Sequence, residues 1–220
     1  MKINADVIAH TALGLLDEVG LDGLTMRVVA TALGVRAPTL YWHVKNKQHL
    51  LDAMANVMFA EAVEGLELPR RDETWQDWLV AHAHRLRAVL LRHRDGARVY
   101  AGTNITDPGL PRAVELGLRT LIDAGFSLAE AGRGFAAILH YTVGYTIEEQ
   151  ARLGTAYGDD NPYRTERLAE AFDAERYPLA ARAATEVLFE PDARAGFEHG
   201  LRLLVAGMSH ARDQAPESVG

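Results

Sequence analysis

Residues 24–47, LTMRVVATALGVRAPTLYWHVKNK, decide the fold of this chain. Thr25 suits the cap of a short helix that ends near Leu33, and Gly34 supplies the turn that follows it. Pro38 suits the first turn of the next short helix, because a helix start leaves that backbone position without an N–H partner. Two short helices joined by a glycine turn are the layout of a helix-turn-helix, whose second helix enters the major groove of DNA.

This segment also supplies side chains of the types that contact DNA: rings for the sugar–phosphate backbone and base edges, a hydroxyl group, and lysines for phosphates. They are Pro38, Thr39, Tyr41, Trp42, His43, Lys45 and Lys47. Because adjacent helical residues point about 100° apart, Tyr41 and Trp42 cannot both be comfortably buried. The chain has a net charge of −7, yet residues 24–50 contain no acidic residue. We therefore predict a local DNA-binding surface, with a core-packed pair of short helices as the alternative.

Helical periodicity extends over nearly all of the 220 residues, interrupted by connectors at about 66–73, 102–111 and 154–162, so the predicted fold class is all-α. Asn4 suits the cap of the first helix and Gly20 its end, and Asn46 suits the cap of a fourth helix. Thr74 with Asp77 and Ser127 with Glu130 resemble capping boxes. We predict further helices over about 111–123, 128–153, 164–173 and 178–189, and a last one that starts at Pro191.

Composition restricts the function further. Cysteine is absent, which excludes disulfides, thiolate catalysis and cysteine-ligated metal centres. The first residues lack the apolar core of a signal peptide, and the longest apolar stretch, 135–147, is too short to span a bilayer. We therefore expect a soluble cytoplasmic protein without a membrane partner.

Residues 24–47, and 38–47 above all, resemble the DNA-binding domain of the tetracycline-repressor (TetR) family, most closely that of the tetracycline repressors. Further matching segments follow in order: LLDA at 50–53, WQD at 75–77, HRDGA at 93–97, GT at 102–103, GFSL at 125–128 and EEQ at 148–150. The resemblance implies a ligand-responsive transcriptional repressor. Such a protein binds a pseudo-palindromic operator in double-stranded DNA as a homodimer, and a small-molecule effector, here a polycyclic one, releases it.

The same resemblance implies the domain organisation. Residues 1–46 are expected to form a three-helix DNA-binding domain, 47–64 a connecting helix, 65–212 an effector-binding and dimerisation domain, and 213–220 a flexible tail. The dimer would form through a four-helix bundle built from about 128–153 and 192–211 of each subunit, although the apolar stripes there also suit a monomer core. The connecting helix is the expected hinge.

Most of the DNA contacts are implied residue by residue. The matching positions are Arg27, Pro38, Thr39, Tyr41, Trp42, His43 and Lys47, to which we add Thr25, Arg36, Ala37 and Lys45 from their place in the motif. The tetracycline repressors have an acidic residue and a glutamine at the positions of Arg36 and Ala37. Because glutamine contacts adenine through two hydrogen bonds and alanine forms none, we expect a different operator at those bases.

The effector site departs further from the family pattern. In the tetracycline repressors a histidine and a glutamate from the dimer partner hold a magnesium–drug chelate, and the matching residues here are Tyr100 and Glu148. A neutral phenol is a poor ligand for a hard cation, so we expect no cofactor, with magnesium and a tetracycline-like ligand as the alternative. The expected effector contacts are Val63, His82, Leu86, Tyr100, Thr103, Asn104, Gly117, His140 and Glu148. Five of these positions differ from the tetracycline repressors. Those repressors have histidine, asparagine, phenylalanine, arginine and glutamine, in that order, where this chain has Val63, His82, Leu86, Asn104 and Gly117.

The remaining features leave alternatives open. His82, His84 and His93 are too loosely spaced for a zinc site and suit exposed or packed side chains better, and His140 suits either pocket lining or ordinary packing. Two other classes compete with a repressor: an all-α small-molecule-binding module, which predicts no salt-dependent DNA affinity, and an all-α enzyme. No catalytic motif or positioned acid–base pair supports the enzyme.

Overall fold

The computed structural model describes residues 3–154, 157, 160–189 and 192–214. Over these residues the protein is helical and has no strand, which confirms the all-α prediction. The helices are α1 (Ala5–Gly23), α2 (Met26–Ala32), α3 (Ala37–Tyr41), α4 (Lys47–Val63), α5 (Trp75–Leu91), α6 (Gly96–Tyr100), α7 (Leu110–Asp123), α8 (Leu128–Leu153), α9 (Thr165–Ala171), α10 (Pro178–Ala183) and α11 (Ala193–Gln214). Among them, none is long and apolar enough to cross a membrane.

The predicted helix-turn-helix forms from local interactions. The hydroxyl of Thr25 accepts a hydrogen bond from the backbone N–H of Val28 at 3.2 Å and caps α2. Gly34 follows with φ +66°, a left-handed conformation that glycine adopts without a steric penalty. Leu40 on α3 is completely buried, and its burial fixes which side of that short helix faces outward.

The other predicted caps also form. The side chain of Asn46 accepts from the N–H of His49 at 2.9 Å, and Thr74 accepts from the N–H of Asp77. The Ser127 hydroxyl accepts from the N–H of Glu130 at 3.3 Å and donates to the Glu130 carboxylate at 2.6 Å. This last hydrogen bond lowers the pKa of the Glu130 carboxyl. Each cap satisfies a backbone donor that the first turn of a helix leaves unpaired.

Two details of the first half differ from the sequence prediction. Gly20, expected to end the first helix, has φ +69°, but the chain resumes helical structure and α1 continues to Gly23. Helix α6 was not predicted, because five residues are too few to show a periodic pattern. It begins after Asp95, which has a positive φ of 58° although it is not a glycine.

The chain divides into two compact units, Met1–Thr146 and Ile147–Gly220. In the first unit, α4 packs against α1, α5 and α6, so the connecting helix is part of one compact unit together with the helix-turn-helix. In the second unit, α10 continues directly into one π-helical turn, Ala184–Leu188. The domain boundaries proposed from the sequence describe functional segments and stay a prediction.

The last helix begins later and ends later than predicted. Pro191, its expected first residue, lies outside the described residues, and α11 begins at Ala193. Asp213 and Gln214 still belong to the helix instead of the expected flexible tail, whose other residues also lie outside the described part of the chain.

Candidate nucleic-acid interface and effector site

Helix α3 buries one side and exposes aromatic rings on the other. Leu40 and Val44 are packed inside, whereas Tyr41 is 49% exposed and Trp42 is 88% exposed. The two rings are thus not both buried, as the sequence predicts, and the structure exposes each of them. The neighbouring predicted contacts Pro38, Thr39, His43 and Lys45 are exposed as well. The Trp42 indole is thus accessible at the surface, next to the other exposed residues that the sequence predicts to contact DNA.

Some of the predicted DNA-contacting side chains around α3 already have a hydrogen-bond partner within the residues that the structure describes, and others have none there. Arg27 and Arg36 are exposed, and neither belongs to an ion pair among the described residues. The ammonium group of Lys47 is already used, since it donates to the carbonyl of Leu21 at 3.0 Å. The Thr25 hydroxyl caps α2, and Ala37 is half-buried, so its methyl group is only partly accessible.

The loop after α6 is tied to α4 through backbone hydrogen bonds. The N–H of Asn104 donates to the Asp52 carboxylate at 3.1 Å, and the N–H of Thr106 donates to the Asn56 side-chain oxygen at 2.8 Å. These hydrogen bonds link the loop directly to α4, the helix that follows the helix-turn-helix in the chain.

A second set of contacts ties α1 to the residues around the start of α6. Asp17 accepts from the backbone N–H of Arg94 at 2.8 Å, and Asp95 accepts from the N–H of Leu21 at 3.0 Å. Arg98 lies 3.1 Å from Asp95. Helix α6 therefore has polar contacts to α1 at its start, while the loop at its other end contacts α4.

An aromatic stack lies between α5 and α8 at one of the predicted effector residues. The imidazole of His82 lies between Trp78, at 5.6 Å and 11° between ring planes, and Phe135, at 5.8 Å and 23°. Burial, and secondarily the positive charge of Arg85, lower the pKa of His82 to about 4, so the ring is neutral at pH 7. Its Nδ1 atom has no hydrogen-bond partner among the described residues.

Gly117 is next to this stack. A methyl group added to its α-carbon would lie only 2.6 Å from the Phe135 ring, so the ring occupies the space of a side chain at position 117. The structure thus brings His82 and Gly117 together through Phe135. Phe135 was not among the effector residues predicted from the sequence, because its contact with Gly117 joins two helices and no local pattern shows it.

The other predicted effector residues differ in their surroundings. Leu86 is buried, and the hydroxyl of Thr103 donates to the carbonyl of Tyr100 at 2.7 Å. Burial raises the pKa of the Tyr100 phenol to about 12, which keeps it neutral. Val63 is the last residue of α4 and half-buried, while Asn104, His140 and Glu148 are exposed. A cleft of about 340 Å³ opens between α1, α4 and residues 106–108, but none of the predicted effector residues lines it.

The histidines considered for zinc have separate surroundings. His82 is stacked between rings, while His93 lies 3.5 Å from the carboxylate of Asp17. In the described part of the chain, no three metal-ligating side chains come together.

Known proteins share this architecture. Residues 8–54 match the family model "Bacterial regulatory proteins, tetR family", and residues 68–212 match "Tetracyclin repressor-like, C-terminal domain". The class A tetracycline repressor from transposon 1721 of Escherichia coli is 41% identical, over 96% of this chain and 93% of that protein. A crystal structure of a possible TetR family transcriptional regulator from Streptomyces coelicolor A3(2) has a TM-score of 0.84 and 41% identity, and the match covers 94% of this chain and 100% of that one. The Streptomyces coelicolor TetR family protein ActR, in complex with actinorhodin, has a TM-score of 0.79 and 26% identity, covering 97% and 99% of the two chains.

The helix-turn-helix and the all-helical remainder define a DNA-binding transcriptional regulator. The chain belongs to the TetR family. It is a ligand-responsive repressor of the kind that binds operator DNA as a homodimer and responds to a small-molecule effector.

Proposed function

We propose that the effector is a planar polycyclic compound that binds beside the Trp78–His82–Phe135 stack without a magnesium ion. The stack is the observation that supports this proposal. Flat aromatic rings offer large apolar faces to a planar ligand, and offset stacking favours such contacts. The neutral His82 ring adds one unsatisfied nitrogen, Nδ1, that a polar group of the ligand could meet.

The residues present do not suit a magnesium chelate. Mg²⁺ requires oxygen ligands in near-octahedral geometry, usually including carboxylates and water. Tyr100, at the position of the family's histidine ligand, has a phenol whose pKa of about 12 disfavours the phenolate. Glu148 alone is retained from the family's metal-holding pair. We therefore assign no step of effector binding to the metal.

Two relatives support a polycyclic ligand. The class A protein is named a tetracycline repressor, and ActR is described in complex with actinorhodin. Because five expected effector positions have lost the polar or aromatic groups of the tetracycline repressors, we expect the ligand of this chain to differ from tetracycline in its polar substituents.

In this proposal the effector acts by population shift. The ligand must bind the DNA-free conformation more tightly, and a swing from 99:1 to 1:99 needs roughly a 10⁴-fold preference. The loop at Thr103 and its hydrogen bonds to Asp52 and Asn56 offer a route to α4. The protein then acts in the cytoplasm as a switch and catalyses no reaction.

Tryptophan fluorescence tests the effector proposal. The purified dimer is titrated with tetracycline and, separately, with actinorhodin, each with magnesium and with EDTA. We expect quenching that EDTA does not change. Binding that EDTA abolishes would overturn the metal-free site, and a failure of both compounds to bind would overturn the polycyclic class while leaving the DNA-binding function intact.

Two tryptophan variants show which indole is quenched when the ligand binds. Trp78 is part of the stack, whereas Trp42 is exposed on α3. Trp78→Phe should remove most of the quenching, and the matched variant Trp42→Phe should retain it. The opposite result would place the ligand away from the stack.

A further inference from the structure

The side chain of Arg36 lies at the surface, at the N-terminal end of α3. It is exposed, it makes no side-chain cap bond to α3, and no ion pair among the described residues includes it. Its backbone is extended, with φ −80° and ψ 143°, so the residue stands outside the helix that follows. Residues 24–50 contain no carboxylate that could neutralise it. A full guanidinium charge is thus kept at the surface beside α3.

Arg36 has side-chain hydrogen-bonding groups that the two residues after it lack. In helix-turn-helix proteins the residues at the beginning of the second helix contact base edges in the major groove. Ala37 and Pro38, which begin α3, have no side-chain hydrogen-bonding group. Among the side chains of residues 36–38, that of Arg36 alone has hydrogen-bond donors, and it has no acceptor.

We infer that Arg36 recognises a guanine in each half of the operator. Guanine presents two adjacent acceptors, O6 and N7, in the major groove, and the planar guanidinium fork donates to both. Adenine presents one acceptor and one donor there, so a group with donors alone favours guanine. The inference rests on the DNA-binding function stated above and goes beyond it by naming the base and the residue that selects it.

Selection from a pool of randomised duplexes tests the inference with the full-length dimer. The wild type should enrich sequences with a guanine at two symmetry-related positions. Arg36→Ala should lose the preference at those two positions and keep it elsewhere, and its affinity for the wild-type sequence should fall about 5- to 100-fold per half-site. The matched control is Arg71→Ala, an exposed arginine in the loop before α5, which should enrich the wild-type sequences.

A base analogue tests the contact itself. In 7-deazaguanine a C–H group replaces N7 while Watson–Crick pairing is kept. At the two selected positions this analogue should weaken wild-type binding and leave Arg36→Ala binding unchanged. Arg36→Lys, which keeps the charge and lacks the planar fork, should retain the salt dependence and lose part of the guanine preference.

Three results would overturn the inference. If Arg36 contacts a phosphate, Arg36→Ala will weaken binding to every duplex by a similar factor and reduce the salt slope by about one per contact. If the analogue weakens both proteins equally, another residue contacts N7. If the wild type enriches no sequence at all, the sequence-specific DNA-binding function itself fails, which distinguishes that failure from the failure of Arg36 alone.

Discussion

At the scale of single residues, His82 makes the fold sensitive to acid. Its pKa is about 4 in the folded protein and 6.5 in an unfolded chain, because burial and the charge of Arg85 disfavour the protonated ring. Between these values the unfolded chain binds a proton that the folded chain does not bind, so stability is lost as the pH falls. The loss reaches at most about 1.4 kcal/mol for each pH unit in that window.

The variant His82→Gln should remove this contribution. Between pH 7.5 and pH 5.0, the wild type should lose about 2 kcal/mol more of its unfolding free energy than the variant, because only the wild type has the depressed histidine pKa. Urea unfolding of both proteins at the two pH values measures the difference. Equal losses would mean that the folded-state pKa of His82 is close to 6.5.

Gly117 is a second position at which one residue controls the site. Gly117→Ala places a methyl group 2.6 Å from the Phe135 ring, so the ring must move and we expect a loss of about 1–3 kcal/mol. Gly14→Ala is the matched control, since Gly14 is also helical and its added methyl group meets no atom within 4 Å. That variant should gain up to about 1 kcal/mol from helix propensity. Urea unfolding measures both, and similar effects would contradict the packing of Phe135 on Gly117.

At the scale of secondary-structure elements, two separate hydrogen bonds link the loop after α6 to α4. Asp52→Ala should speed amide hydrogen exchange at Asn104 and leave Thr106 protected, whereas Asn56→Ala should do the reverse, because each side chain accepts from one of the two amides. Exchange followed by NMR resolves the two sites, and each variant is the control of the other. Exchange that is unchanged in both variants would show that these hydrogen bonds do not hold the loop.

The elements that the sequence predicts are those formed by local chemistry. Thr25, Asn46 and Thr74 cap their helices through atoms three residues away, and such pairs are visible in the sequence itself. Helix α6 is different. It is held by Asp95, whose partner Leu21 is 74 residues distant, and no local pattern predicts such a contact.

The same distinction applies to the two functional surfaces. That Tyr41 and Trp42 are not both buried follows from helical geometry and is predictable from the sequence, whereas the exposure of both rings depends on the burial of Leu40. The stack on His82 requires Phe135 from another helix. The family resemblance predicted His82 as an effector residue, but it did not predict the rings that stack on it. Where the family pattern changes, as at Gly117, tertiary packing decides what fills the space.

At the scale of the whole molecule, a chain of net charge −7 must bind an anionic polymer through a small cationic surface. We therefore expect the affinity for operator DNA to fall steeply with salt, with a slope of about −0.9 per phosphate contact in a plot of log K against log salt concentration. Lys47 is one of those contacts in the proposed complex. To reach a phosphate, its ammonium group must exchange the Leu21 carbonyl for the DNA.

Lys47→Ala should reduce the magnitude of this slope by about one for each subunit of the dimer, and it should weaken binding by a similar factor on specific and random duplexes, because phosphate contacts are independent of sequence. Arg71→Ala, which removes a charge from the exposed loop before α5, is the control and should leave the slope unchanged. Fluorescence anisotropy with a labelled duplex at 50–200 mM salt, the range over which such contacts change affinity strongly, measures both slopes. A Lys47→Ala slope equal to that of the wild type would mean that the hydrogen bond to Leu21 persists on DNA and that Lys47 positions α4 against α1 without neutralising a phosphate.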